Sequence, residues 1–283
     1  MYMGYMLTTK LSVSTSLEPI TAKAKKKVTD VLRALWKIKG TDISVFLRLF
    51  DHQVQPALTY AAEVWGAKKI KAIEQVHMYA CKKALSVSQK TPNTMIYGEL
   101  GRYPLYINTV MKAVKYWLKL VELPDNRLPK AAYETVQSLD DKGVKTWASD
   151  IRTCLFQYGC GIVWVSQQVG NKTGFLRELK QRLIDCNTQD WHDKISTKES
   201  FKNYRGFKQI LQFESDLSYL TVKRYRDAIV RIQLGVNKLT CSKYGHNPNV
   251  RERLRLVCQS TEDEIHFILP AERMTISEKT FLH

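Results

Sequence analysis

The fold is indicated first by residues 20–38, which read ITAKAKKKVTDVLRALWKI. Apolar residues recur in this segment at steps of three and four, and at about 100° per residue they share one side of a helix. They are Ala24, Val28, Val31, Leu32, Leu35 and Trp36. The pattern predicts an amphipathic helix that ends near Gly40.

The same spacing is repeated along most of the chain. A second helix is expected to begin after Asp42, which can act as its N-cap, and to kink at Pro56. Further helices are expected at residues 68–87, 105–123, 131–139, 147–158, 175–191, 197–213 and 222–234. Residues 161–165 (GIVWV) are the one candidate strand. The predicted fold class is therefore mainly α, with a helical bundle followed by a second helical domain.

The proline-bounded, polar stretch at residues 124–129 (PDNRLP) is the best candidate for a domain boundary. It separates a predicted bundle at residues 19–124 from a predicted C-terminal domain at residues 125–283. Residues 1–18 are expected to be the end of a preceding structural unit.

The charge balance favours a polyanionic partner. The chain has 44 Lys and Arg against 27 Asp and Glu, a net charge of +17, which attracts nucleic acid or acidic membrane. No apolar run approaches the roughly 18 residues of a membrane span, no secretion signal is evident at the start, and the six cysteines are scattered. These features predict reduced thiols and a nuclear or cytoplasmic, intracellular protein that binds no membrane.

Basic residues follow the polar side of two predicted helices. They are Lys23, Lys26, Lys27, Arg33 and Lys37 on the first helix, and Lys68, Lys71 and Lys82 on the third. Such groups on a rigid helix suit phosphate contacts that do not depend on base sequence. A solvated helix face is the ordinary alternative for either ridge alone. Two ridges in a strongly basic chain favour nucleic acid.

Several tyrosines lie near basic residues, as in proteins that stack on single strands or hybrids. They are Tyr103, Tyr106, Tyr116, Tyr204, Tyr219 and Tyr225. Most are expected in the core or at its rim, and the sequence does not distinguish those that would stack on a base.

Metal and catalytic sites are weakly indicated. Cys258 and His266 are a zinc-type pair, but structural zinc needs four ligands and no CxxC accompanies them, so no bound cofactor is expected and zinc is disfavoured. No phosphate-binding glycine loop, GxSxG, HExxH or two-metal aspartate motif occurs. Asp140–Asp141 is interpreted as a turn at a helix end, and His77 as a hydrogen-bonded core residue rather than a base.

Four segments resemble the C-terminal part of a reverse transcriptase from a non-LTR (LINE-type) retrotransposon. Residues 2–8 (YMGYMLT) resemble the family's YLG element, which contributes the primer grip, so Tyr2 and Gly4 become primer-grip-like candidates. Residues 50–60 (FDHQVQPALTY) with 63–66 (EVWG) resemble its thumb signature. Residues 73–77 (IEQVH), Pro92 and 97–105 (YGELGRYPL) match the segment after the thumb, and residues 262–267 (EDEIHF) are similar to its terminal Cys/His knuckle.

The departures from that family decide the expected activity. The family's RNA-directed DNA polymerase binds Mg²⁺ through palm aspartates upstream of the YLG-like element, and the chain begins after that point. In the degenerate knuckle, near residues 258–271, only Cys258 and His266 remain as ligands. The resemblance therefore implies a truncated transposable-element polymerase, inactive by itself, that holds RNA, DNA or an RNA–DNA hybrid and docks on an upstream palm domain.

Two other functions stay open at this point. The apolar helix faces could serve a protein-interaction or scaffold module that has no nucleic-acid role. An independent nuclease or polymerase is disfavoured because the carboxylate cluster such an enzyme needs is not evident.

Overall fold

The computed structural model of the chain describes residues 13–38, 42–220 and 222–235. This part is mainly α-helical, which confirms the predicted fold class, while the predicted Cys/His knuckle lies outside the described residues. The helices are α1 Val13–Lys37, α2 Ile43–Leu49, a π-helical segment Phe50–Val54, α3 Gln55–Leu58, α4 Ala62–Trp65, α5 Lys71–Ala84, α6 Asn93–Leu100, α7 Tyr106–Val121, α8 Leu128–Asp141, α9 Trp147–Gln157, α10 Gly161–Ser166, α11 Lys172–Thr197, a 3₁₀ turn Glu199–Phe201, α12 Lys202–Phe207, α13 Asp216–Tyr219 and α14 Lys223–Gln233.

Local signals in the sequence determine several helix ends. The Asp42 carboxylate accepts a hydrogen bond from the Ser44 amide at 2.7 Å and so caps α2, as predicted. The predicted kink at Pro56 appears as a π-helical segment followed by a new helix with the proline in its first turn. Helix α1 begins earlier than predicted and contains Pro19.

A first hydrophobic core joins α1 to α6 with the distant end of the chain. Leu17, Phe50 and Ile73 are buried in it. Side chains from the second half of α11 and from the segments after it return to the same core: Trp191, Ile195, Phe201, Tyr204, Leu217, Val230 and Leu234. Residues more than a hundred positions apart therefore share one apolar interior.

A second core forms around α7. Trp117 is fully buried there, beside Ile151 and Leu183, and the helices that contribute to it are α7, α8, α9, α10 and the first half of α11. Residues 122–127, next to the predicted boundary, are a loop between α7 and α8, two helices of this same core. The loop at residues 122–127 therefore does not divide the first core from the second. The predicted division into residues 1–18, 19–124 and 125–283 stays a prediction for the whole chain.

Two glycines permit close approaches that any side chain would block. A Cβ on Gly66 would lie 2.3 Å from the Thr109 carbonyl oxygen, so this glycine lets α4 pack closely on α7. Gly101 ends α6 with a φ of +56°, in the left-handed region, and a Cβ there would lie 2.2 Å from the Phe213 amide nitrogen. The turn at Gly101 directs the following Arg102 toward α5.

Two expectations from the sequence are corrected. Residues 161–165 are helical rather than a strand: α10 packs on α9, and Trp164 stacks on Trp117 with ring centroids 5.6 Å apart. No strand lies in the described part of the chain to pair with this segment, and a helix satisfies its backbone locally. Trp36, expected on the buried side of α1, is 59% exposed, because the neighbouring Leu35 takes the buried side of that last turn.

None of the described helices is both long enough and apolar enough to cross a membrane.

Candidate nucleic-acid interface

The basic side of α1 faces solvent. Its five predicted residues, Lys23, Lys26, Lys27, Arg33 and Lys37, are all exposed and are called the α1 ridge below. The buried side of the helix, including Leu17, Ala24 and Val28, packs into the first core. Arg33 lies 3.7 Å from the Asp30 carboxylate in an exposed pair, which is worth little in water. The four lysines of the ridge form no salt bridge with any described residue.

The second predicted ridge is not a continuous surface. Lys82 is only 6% exposed, and its ammonium group donates to the Gln89 carbonyl at 2.9 Å. Burial lowers the pKa of Lys82. Helix α5 is covered on several sides, so this position faces the loop after the helix rather than solvent. The expectation that Lys82 lies on an exposed ridge is therefore wrong.

The two other lysines of that ridge are exposed but differ in their partners. Lys68 precedes α5 and forms a salt bridge with Asp150 at 2.8 Å. Lys71, in the first turn of α5, has no salt bridge with a described residue. Of the three predicted lysines, Lys71 is the one whose charge is both exposed and unpaired within the described part of the chain.

A buried polar network lies at the edge of the first core, and Glu74 on α5 is its hub. One Glu74 oxygen accepts from the Tyr97 hydroxyl at 2.6 Å and lies 2.7 Å from His77 Nδ1, while the other accepts from the Leu105 amide at 2.9 Å. Burial by itself raises the pKa of Glu74, but these three hydrogen bonds outweigh it and hold the pKa below its usual range.

Arg102 extends this network to the π-helical segment. Its guanidinium donates two hydrogen bonds to the Asp51 carboxylate, at 2.5 and 3.1 Å, and its Nε donates to His77 Nε2 at 3.1 Å. Complete burial lowers the pKa of His77, but Cys81 and Glu74 outweigh burial and raise the pKa to about 9. Against this shift, the Arg102 N–H that points at Nε2 requires a lone pair on that nitrogen, so the hydrogen-bond geometry favours the neutral ring, with its proton on Nδ1 donated to Glu74. His77 is thus a hydrogen-bonded core residue, as predicted.

This network joins the segments on which the family resemblance depends. Asp51 belongs to residues 50–60, Glu74 and His77 belong to residues 73–77, and Arg102 belongs to residues 97–105. The sequence showed these polar residues as separate motifs. In the structure, each of these side chains forms a hydrogen bond with another of them. Their pattern therefore has a structural explanation that does not require a catalytic role.

A cleft of about 480 Å³ lies beside this network, between the start of α5, the start of α6 and the second half of α11. Four lysines line it: Lys69 and Lys71 from the α5 side, and Lys194 and Lys198 from the α11 side. All four are exposed, and none forms a salt bridge with a described carboxylate. This surface is called the cleft below.

Sequence reasoning missed three of the four cleft lysines. Lys194 and Lys198 lie more than 120 positions after Lys71, so no helical periodicity connects them. Lys69 lay inside the helix predicted at residues 68–87 but was not assigned to its basic side, and the structure places it in the connection before α5.

The predicted aromatic residues separate into distinct environments. Tyr103 and Tyr106 are partly buried and line the cleft. Tyr116 packs edge-on against Trp147, and Tyr204 is 1% exposed. Tyr219 and Tyr225 are exposed but do not line the cleft.

The remaining predicted site residues have structural roles or fall outside the described chain. Asp140 is buried at the end of α8, where Arg152 and Ser149 donate to it, and the Arg152 hydrogen bonds hold the pKa of this carboxyl below its usual range. Within residues 13–38, 42–220 and 222–235, no three His, Cys, Asp or Glu side chains come together as a metal site requires. Tyr2, Gly4, Cys258 and His266 lie outside the described residues.

Comparisons of this chain with protein-family models, with curated proteins and with solved structures find no significant match.

Proposed function

We propose that this chain binds nucleic acid through its phosphates, without reading base sequence, as the thumb and C-terminal part of a reverse transcriptase of the non-LTR retrotransposon type. RNA, DNA and the RNA–DNA hybrid of a template and primer share the backbone charge that such binding needs. The observation that carries the proposal is the α1 ridge.

The charge on α1 is strongly one-sided. The helix carries six basic side chains, including Lys25, and two acidic ones. From Lys23 to Lys37 the helix rises about 21 Å at 1.5 Å per residue. That length matches roughly six phosphate spacings along one strand. A rigid row of unpaired ammonium groups with this reach can contact a backbone at several phosphates at once.

Binding through phosphates predicts a measurable salt dependence. The full chain is titrated by fluorescence anisotropy with a labelled single-stranded oligonucleotide and with an RNA–DNA hybrid, at salt concentrations between about 50 and about 300 mM. We expect log affinity to fall linearly with log salt, because each phosphate contact releases counterions. An affinity that does not change with salt would rule out the proposal.

A matched pair of variants locates the contacts. Lys26→Gln/Lys27→Gln on the α1 ridge should reduce the slope of that line by roughly one to two, because each lysine that neutralises a phosphate contributes about 0.7 to 0.9 to it. Lys142→Gln/Lys145→Gln removes the same charge from exposed positions between α8 and α9 and should leave the slope nearly unchanged. Equal slopes for the two variants would show that only the net charge of the chain matters.

The expected lack of polymerase activity in this chain stays a prediction. A magnesium-dependent primer-extension assay on the purified chain tests it. Extension would mean that metal-binding carboxylates outside the described residues complete a catalytic centre.

A second candidate function is a protein-interaction module, for instance one that docks on an upstream palm domain. Three apolar side chains on α9 and α10 favour it: Phe156, Ile162 and Val165 are 54%, 75% and 69% exposed. Exposed apolar residues in one area are typical of interaction surfaces. Light scattering of the isolated chain should then show self-association that Ile162→Ser/Val165→Ser reduces, whereas a monomer at high concentration would contradict it.

A further inference from the structure

We infer that the cleft binds one nucleotide unit, with the base against Tyr103 and the phosphate between the lysines of the α5 and α11 sides. This inference deepens the proposed function, on which it rests, by assigning one of the nucleic-acid contacts to a concave site that recognises an aromatic base as well as charge.

The cleft has the size of a small-molecule site. Its volume of about 480 Å³ falls in the range of about 300 to 1,000 Å³ that is usual for such sites. Both polar and apolar groups line it, and Pro104, Ile70 and Leu211 contribute the apolar part. The exposed side of a single helix, such as the α1 ridge, does not enclose a base between facing elements in this way.

The charges in the cleft favour an anion. Lys69 and Lys71 approach it from one side, and Lys194 and Lys198 approach it from the other. Two carboxylates line the same space. Glu74 is already occupied by three hydrogen-bond donors, which leaves the exposed Asp190 as the acidic group able to oppose a ligand.

The backbone at two helix starts adds to this preference. Residues of the first turns of α5 and α6, among them Lys71 and Asn93, line the cleft. Neither helix has a side-chain cap, so the amide groups of these first turns remain available to an acceptor. Helix starts carry partial positive charge and bind phosphate groups in many proteins.

One aromatic ring in the cleft, that of Tyr103, packs partly against the second core and keeps the rest of its surface exposed to the cleft. The Tyr106 ring already has the Lys69 ammonium group 5.2 Å from its centroid, and the Trp191 indole is buried, donating to the Thr94 carbonyl at 2.8 Å. Tyr97 is held by Glu74. Tyr103 is partly exposed and has no ring contact, cation contact or side-chain hydrogen bond to a described residue. Stacking on such a ring is tolerant of base identity.

The test separates the contribution of the base from that of the phosphates. The full chain is titrated by fluorescence anisotropy with a labelled single-stranded 12-mer and with an abasic 12-mer of equal charge. Wild-type protein should bind the normal strand at least about fivefold more tightly than the abasic one, the lower end of what one stacked base contributes. Tyr103→Ala should remove this difference, while Tyr219→Ala, which changes an exposed tyrosine outside the cleft, should keep it.

A charge variant and a competitor complete the experiment. Lys71→Gln/Lys194→Gln should weaken binding of the normal strand more than Lys142→Gln/Lys145→Gln does. Circular dichroism confirms that each variant is folded. Adenosine monophosphate is added as a competitor: displacement of the strand assigns the site to a free nucleotide, and no displacement together with a base-dependent affinity assigns it to a nucleotide within a strand.

The outcomes distinguish the two proposals. Salt-dependent binding with no preference for the normal over the abasic strand, and no effect of Tyr103→Ala, overturns the cleft but leaves phosphate binding by the α1 ridge intact. A base preference that Tyr103→Ala does not change also overturns it. If neither strand nor adenosine monophosphate binds at all, both proposals fail.

Discussion

The α1 ridge and the cleft are both basic, yet they depend on different parts of the structure. The ridge takes its lysines from a single helix, so its geometry exists wherever α1 is formed and its apolar side is buried. The cleft takes its lysines from two segments, residues 69–71 and 194–198, which meet because α11 returns to the first core through Trp191 and Ile195. One surface is a property of local sequence, and the other is a property of tertiary packing.

The buried network explains why the cleft keeps its shape. Glu74 and Arg102 line the cleft and are fixed from behind by Asp51, His77 and the Leu105 amide. No comparable network supports the α1 ridge among the described residues, and its lysines stay solvated. Changes to the network should therefore damage the cleft and spare the ridge.

The largest effect is expected from Glu74→Ala. It leaves His77 Nδ1, the Tyr97 hydroxyl and the Leu105 amide without their shared acceptor in a buried place, and we expect the free energy of unfolding to fall by about 4 kcal/mol. Urea unfolding measures this. Gln75→Ala, at the exposed neighbouring position on α5, is the control and should cost less than about 0.5 kcal/mol. Similar losses for both variants would mean that the network contributes little.

A smaller effect, with a distinct dependence on pH, is expected at Glu99. Burial raises the pKa of Glu99 to about 7, and the nearby Glu214 and Asp216 act in the same direction. The folded chain then keeps this proton at pH values where the unfolded chain, with its pKa of 4.5, has released it. The free energy of unfolding should therefore fall by about 3 kcal/mol as pH rises from about 4.5 to about 7, and level off above that.

The comparison variant for this effect is Glu99→Gln, which cannot ionise. Its unfolding free energy should vary less with pH over this range than that of the wild type, and above the raised pKa the variant should be the more stable protein. Glu134→Gln, at an exposed position on α8, should follow the wild-type curve. Parallel curves for the wild type and Glu99→Gln would contradict the raised pKa.

The smallest effect is expected at Lys68, which the sequence assigned to a nucleic-acid ridge. Because this lysine is engaged by Asp150 at 2.8 Å and half exposed, Lys68→Gln should change stability by less than about 1 kcal/mol. Its effect on oligonucleotide affinity should be smaller than that of Lys71→Gln, whose ammonium group is unpaired among the described residues and lines the cleft. Anisotropy titrations of the two variants at one salt concentration make the comparison, and a larger loss for Lys68→Gln would reverse the assignment.

Sequence reasoning succeeded where the relevant forces act between near neighbours. The three- and four-residue spacing of apolar side chains placed α1, α5, α7 and α9 close to their observed positions, and Asp42 marked the start of α2. It failed at residues 161–165, because a short run of β-branched residues is compatible with either a strand or a helix and packing on α9 decides between them. It also failed at Lys82, because periodicity gives the side of a helix but not what covers it.

The sequence by itself determined that this chain is mainly helical, strongly basic, and carries a row of cations along its first helix, since each of these follows from composition or from contacts within about four residues. Tertiary structure alone decided which cations are paired, which are buried, and which meet in the cleft. The physical reason is that partners such as Lys68 and Asp150, or Arg102 and Asp51, are brought together by the burial of apolar surface in two cores. That burial depends on how the helices pack and leaves no periodic signal in the chain.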